Sequence, residues 1–443
     1  MVYRTERDTM GEIEVPWDSL YGAQTQRAVE NFPISGLRFP RSFIRALGLI
    51  KSVAAKTNCA LGHLNPQLAA AIEKASEKIA EGQQDDQFVV DIFQTGSGTS
   101  TNMNANEVIG ALAQAHPNDD VNRGQSSNDV IPTALHVAAA VEANEQLLPA
   151  MRQLEQALRQ KAGEFRDVVK IGRTHLQDAV PMTLGQEFSG YAAQVSKSEE
   201  RVRSALTGLY ELPLGGTAIG TGLNAAPGFA REAIAEIAKR NHLPFVEASN
   251  HFEAQASKDA VSFFSAALRT YAIALTKIAN DIRWLGALGE LKIPATQPGS
   301  SIMPGKVNPV IAESLLMVCA QVIGHDATIA WCCAAGNFEL NVMMPVMAYD
   351  LLESIEILAS GSRNFAQRCI QGLEADAARA AALVEQSLAM GTALAPEIGY
   401  EKAAAIAKEA HASGRTVREV ARQMSGLSED KLNALLDPRK QAG

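Results

Sequence analysis

The chain is short of cysteine, of clustered basic residues and of strand signals, and each shortage excludes something. Its five cysteines, Cys59, Cys319, Cys332, Cys333 and Cys369, are odd in number and contain no CxxC pair. That argues against a disulfide frame, an iron–sulfur centre or a zinc site, and for small buried hydrophobes in a reducing compartment. A formal net charge of -9 over 443 residues, with no basic stripe, argues against nucleic acid as a partner. No run of eighteen residues is both uncharged and continuously apolar, so no membrane span is expected. The charged opening MVYRTERDTMGE lacks the apolar stretch of a secretory signal, and a cytoplasmic location follows as the default expectation.

What is present is long helical periodicity. Hydrophobic residues make up 47% and charged residues 20%, the balance of a globular protein. Leu147, Met151, Leu154 and Leu158 recur at four-three-four spacing, with Phe165 one heptad on. Further runs pass through Leu184, Phe188, Tyr191 and Val195, through Ile311, Leu315, Val318 and Val322, and through Leu351, Ile355 and Leu358. Clearest is Val261, Phe264, Leu268, Tyr271, Leu275, Ile278, Ile282 and Leu285. Five helices with seam spacing near 3.5 predict an all-α bundle crossing at shallow angles. Apolar seams of that length also predict burial against identical copies. The expected division is a mixed, mainly helical N-terminal domain at 1–125, a central long-helix bundle at 126–378 and a small helical C-terminal domain at 379–443.

Between the helices lie polar loops rich in hydroxyls and amides. QPGSSIMPGKVNP, Gln297 to Pro309, feeds a helix for which Asn308 reads as the N-cap and Pro309 as the first residue. It brings hydroxyls, the cation Lys306 and a helix N-terminus to one place, which suits an anion. TGSGTSTNMNAN, Thr95 to Asn106, reads as an internal loop, and HPNDDVN, His116 to Asn122, as a turn. GQSSND, Gly124 to Asp129, opens a helix that Asn128 or Asp129 could cap. GRTHLQDAVPMTLGQE places Arg173, Thr174 and His175 ahead of a helix. LGGTAIGTGLN, Leu214 to Asn224, is Gly-rich, but no strand is read before it and no GK[ST] follows, so a nucleotide loop is not expected. These loops lack paired carboxylates and metal-ligand spacings, which excludes most two-carboxylate and metal-assisted hydrolases. They suit a small dianion and chemistry that builds negative charge on a carboxylate beside a deprotonated carbon.

QPGSSIMPGKVNP resembles the signature of the fumarase/aspartase superfamily. GSGTSTNMN, GQSSNDVIPTALH, GRTHLQDAVPMTLGQEF, GGTAIGTGLN and EIGYEKAA resemble, in order, the other blocks of class II, metal-independent fumarase. Two positions speak for hydration over deamination: His175, where aspartases typically carry Gln, and Gly216, where they usually carry Ala. The resemblance implies fumarate hydratase activity in the tricarboxylic acid cycle, with aspartate ammonia-lyase or a non-catalytic structural relative as alternatives. It implies Ser300 as the base that removes the C3 proton of malate, and His175 with its partner Glu313 as the group that handles water. Lys306 and Asn308 would hold the carboxylate that becomes an aci-carboxylate. Ser97, Thr99, Ser126, Ser127, Asn128 and Thr174 would bind the rest of the substrate. His116, Asn118 and Asp119 match an accessory anion site. No metal or other cofactor is implied, and the family's site is shared by three subunits of a homotetramer. The segments before His116 and from Gly286 to Thr296 are shorter than in relatives, and the chain ends soon after Asp437.

Overall fold

The structure, a computed structural model, describes residues 2–443. It is all-α, with strands only in two-stranded pairs. Two compact units recur along the chain: one takes residues 2–149, 200–272 and 320–359, the other residues 150–199, 273–319 and 360–443.

The first unit begins with an antiparallel hairpin, β1 (Tyr3–Asp8) and β2 (Gly11–Pro16), in a segment whose sequence suggested short helices. Its alternation of exposed and half-covered residues is a strand period, hidden in sequence because few of those residues are apolar. Helix α1 (Arg41–Ala60) is almost wholly buried along its inner faces. Helix α2 (Thr99–Ala113) takes up most of the stretch expected to be an internal loop, so Asn102, Asn104 and Asn106 are helical and buried. Helix α3 (Ser127–Glu142) continues through a π turn, Ala143–Leu147, into α4 (Leu148–Glu164). The widened turn falls where Pro149, lacking an N–H, could not close a regular α turn.

In the second unit, β3 (Val169–Thr174) and β4 (Gln177–Thr183) form a hairpin. Residues of both units make up the long helices α5 (Leu184–Leu206), α6 (Asp259–Leu288), α7 (Val310–Ala334) and α8 (Met344–Arg368), which account for the remaining predicted seams. On α6 the seam residues Val261 to Leu285 are all at most 4% exposed. Helix α7 is long and apolar enough to cross a membrane by length and composition, although only 39% of its most apolar window is buried. The expectation from charge-free runs missed it, because Glu313 and Asp326 interrupt the run. Asp326 accepts from Ser265 Oγ at 2.7 Å and from Arg269 at 2.8 Å, both on α6, as in a core helix of a bundle. A separate core, including Val384, Leu394, Ile406, Val420 and Leu432 together with Ile171 of β3, holds the C-terminal helices.

Candidate active site

In the first unit, α2 and α3 start beside one another. Ser97 Oγ lies 2.7 Å from Thr99 Oγ1, which lies 2.7 Å from Ser127 Oγ. Three hydroxyls thus form a chain at two helix N-termini, where free N–H groups and the helix dipoles favour an anion. The cap of α3 is Ser126, not Asn128 or Asp129. Its side chain accepts from Asn128 N at 3.2 Å, and Asp129 returns the bond to Ser126 N at 2.9 Å, completing a capping box. Asn128 is freed to donate to the Ala218 carbonyl at 2.8 Å.

Asp129 also binds the Gly-rich loop, accepting from Gly215 N and Thr217 N, both at 2.9 Å. A two-residue strand, Glu211–Leu212, does precede that loop, pairing in parallel with Val246–Glu247, contrary to the sequence reading. Two of the loop's backbone N–H groups are thus given to Asp129. Burial pushes the Asp129 carboxyl up to about 6, against the pull of its three backbone donors and Lys51. Burial draws the Lys51 ammonium down to about 7, and the charge of Asp129 resists. Lys51 did not stand out in the sequence, and Asp129 stood out only as a possible cap, although the S-x-x-D spacing of Ser126 and Asp129 is the signal of a capping box.

His175 does not lie in a loop before a helix. It forms, with Leu176, the two-residue tip of the β3–β4 hairpin, where Thr174 pairs with Gln177. Both tip residues are left-handed, at φ 57° and 59°. Non-glycine residues at such angles are strained, and here the strain presents the imidazole to solvent. Arg173 anchors the hairpin by a 2.6 Å bond to the buried carboxylate of Glu290.

The Gln297–Pro309 loop closes on itself. Gly299 N donates to the Lys306 carbonyl at 2.8 Å, and Asn308 Nδ2 donates to the Gly299 carbonyl at 2.6 Å. A Cβ on Gly299 would lie 2.4 Å from that Lys306 oxygen, so only glycine closes the neck. Helix α7 therefore starts at Val310, one residue later than expected, and Asn308 spends its side chain on the loop instead of the cap. Ser300 Oγ accepts from Ile302 N at 3.2 Å and Met303 N at 3.0 Å. The shortened connection before this loop is pinned by pairing of Leu291–Lys292 with Glu374–Ala375. Thr174, His175, Lys306 and Glu313 have no side-chain hydrogen bond or ion pair among the described residues, and no bond joins His175 to Glu313. At the predicted accessory site, His116 Nδ1 accepts from Asp119 N at 3.0 Å, capping the turn Pro117–Val121, while Asn118 is exposed. No group of three metal-ligating side chains occurs among the described residues.

The Lyase family profile matches residues 11–324, and that of the fumarase C C-terminus matches residues 391–441. The chain belongs to the class II fumarate hydratase family. It is a lyase, and the match extends over its whole length. The fumarate hydratase class II of Mycobacterium tuberculosis (strain ATCC 25618 / H37Rv) is 54% identical, over 97% of this chain and 93% of that one. The one from Ralstonia nicotianae is 50% identical over 100% of both. The crystal structure of recombinant class II fumarase from Schistosoma mansoni superposes with a TM-score of 0.97 at 39% identity, covering 100% of this chain and 99% of that one. Membership in the class II fumarate hydratase family agrees with the identities of His175 and Gly216.

Proposed function

We propose that the chain catalyses reversible anti addition of water to fumarate, giving L-malate, in the tricarboxylic acid cycle of the cytoplasm. The substrate is a small dicarboxylate, held without a metal or organic cofactor. In the dehydration of malate Ser300 removes the C3 proton. The electron pair moves into the adjacent carboxylate, and Lys306 and Asn308 balance the charge of the resulting aci-carboxylate. The C2–O bond then breaks as the hydroxyl takes up a proton and leaves as water, forming the double bond, with His175 orienting that water and Ser300 returning its proton to solvent. A serine hydroxyl is a weak base, and the two N–H groups on Ser300 Oγ favour its ionised form. Ser97, Thr99, Ser126, Ser127, Asn128 and Thr174 grip the carboxylates and the hydroxyl.

The observation that carries this reading is the hydroxyl chain Ser97–Thr99–Ser127 at two helix starts, an array of donors suited to a carboxylate. Completion of the site is assigned to a homotetramer in which three copies each supply one loop, so that Glu313 of one copy serves His175 of another. The division at 1–125, 126–378 and 379–443 belongs to the same proposal, as does a secondary anion site at His116, Asn118 and Asp119. Ser300→Ala should lower turnover of malate by orders of magnitude while leaving the oligomer intact. Near-normal turnover in that variant would remove Ser300 as the base. Faster release of fumarate from aspartate than from malate by the unaltered enzyme would favour an ammonia-lyase instead.

A further inference from the structure

Lys51 lies in the middle of α1 with its side chain fully buried, at 0% exposure. A buried ammonium is strongly unfavourable unless it is paired and hydrogen-bonded, and an apolar residue of similar volume would fill the space at less cost. What it binds is the segment that delivers the substrate-gripping residues. Its Nζ donates to Asn122 Oδ1 and to Gln125 Oε1, both at 3.0 Å. The same Asn122 oxygen accepts from Asn102 and Asn106 of α2, each at 3.2 Å. Asn122 Nδ2 then donates to the Gln125 carbonyl at 3.1 Å, one residue before Ser126. One buried cation therefore ties together α1, the helix that begins at Thr99 and the loop that ends in Ser126, Ser127 and Asn128. Its counter-charge is Asp129, itself 0% exposed and bonded to Ser126 N.

We propose that Lys51 is a positioning residue for substrate binding: it sets the spacing of the Thr99 and Ser127 hydroxyls through Asn122 and Gln125. A dianion approaching two helix N-termini then meets hydroxyls already 2.7 Å apart. Because Lys51 touches no reacting atom, its loss should weaken capture of the dicarboxylate more than the chemical step. This rests on the fumarate hydratase function proposed above.

The test replaces Lys51 by Met, close in volume and unable to donate, and by Gln, which restores a donor without the charge. For K51M we expect KM for fumarate and malate to rise at least tenfold with kcat within threefold, and the Kd for succinate, which does not react, to rise in parallel. K51Q should fall between K51M and the unaltered enzyme. A soluble K51M with KM and succinate Kd within twofold of the unaltered enzyme overturns the inference, as does a fall in kcat with KM unchanged. If K51M does not fold, Gln125→Met cuts the same link while leaving Lys51 in place. It should raise KM at least threefold, and an unchanged KM overturns the inference. Amide hydrogen exchange over residues 121–129 separates failure of this inference from failure of the functional reading. Exchange there should quicken in K51M, or in Q125M if that is the variant that folds, whatever substrate the enzyme uses, and unchanged protection counts against Lys51 alone.

Discussion

Arg173 reaches across 117 residues of sequence to bond the carboxylate of Glu290 at 2.6 Å, where Glu290 is only 1% exposed. Glu290 follows directly on the end of α6, which Gly289 turns at φ +78°. The pair therefore locks the base of the His175 hairpin to the end of a bundle helix.

Arg173→Met should destabilise the protein by about 3–5 kcal/mol, because it strands a buried carboxylate. Glu290→Gln, which keeps an acceptor, should cost less. In Glu290→Gln the hairpin tip is less firmly held, and kcat should fall on the order of 100-fold, the penalty typical of small misplacements. Equilibrium denaturation and steady-state kinetics check the two parts. An Arg173→Met protein as stable as the unaltered one would mean the ion pair does not anchor the hairpin.

Leu176→Gly should stabilise. Leu176 sits at φ 59° and is 67% exposed, so glycine relieves the left-handed backbone while little packing is lost. A gain of up to about 1 kcal/mol is expected, read as a higher denaturation midpoint. A lower midpoint would show that the leucine is covered by contacts of its own.

Gly216→Ala should destabilise by about 1–3 kcal/mol through overpacking. The new Cβ would lie 2.1 Å from Gln255 Oε1 and 2.9 Å from His251 Nδ1. Gln255 cannot readily yield, since it is 0% exposed and donates to the Thr217 carbonyl at 2.7 Å. The shift should also loosen the Gly215 and Thr217 bonds to Asp129 and so raise KM. An unchanged melting profile would argue that the loop relaxes freely.

The buried His136 predicts an acid-side loss of stability. Burial, aided by the nearby Lys258 charge, pulls its pKa from 6.5 to about 4, although its bond to the Glu211 carbonyl acts in the opposite sense. The unfolded chain then binds a proton between pH 6.5 and 4 that the folded one refuses. Its contribution is complete above pH 6.5 and declines as pH falls toward 4, by on the order of 3 kcal/mol in total. Denaturation at several pH values, compared with His136→Gln, should show a shallower pH slope in the variant. Equal slopes would assign the acid sensitivity to other groups.

Much of the fold was legible because helical periodicity is local. The seam of α6 repeats every three or four residues, and every predicted seam residue from Val261 to Leu285 is buried. The polar loops were legible as places where hydroxyls, amides and helix starts coincide. Less so were the details at their edges. Ser126, Asn128 and Asp129 are all able caps, and the choice among them depended on Asp129 being claimed by Gly215 and Thr217 as well. His175 looked like a loop residue because a two-residue turn built from His and Leu lacks the usual glycine or asparagine.

The neck of the Ser300 loop shows the same limit: Asn308 has the composition of a cap, yet its amide goes to the Gly299 carbonyl, nine residues back. By itself, then, the sequence determined the long helices, the all-α class and the family, since these follow from short-range periodicity and contiguous blocks. Tertiary structure decided which polar groups meet. Lys51 with Gln125, Asp129 with Gly215 and Arg173 with Glu290 are separated by 74, 86 and 117 residues. A buried charge or amide must find its partner wherever folding brings one, and no local spacing announces where that will be.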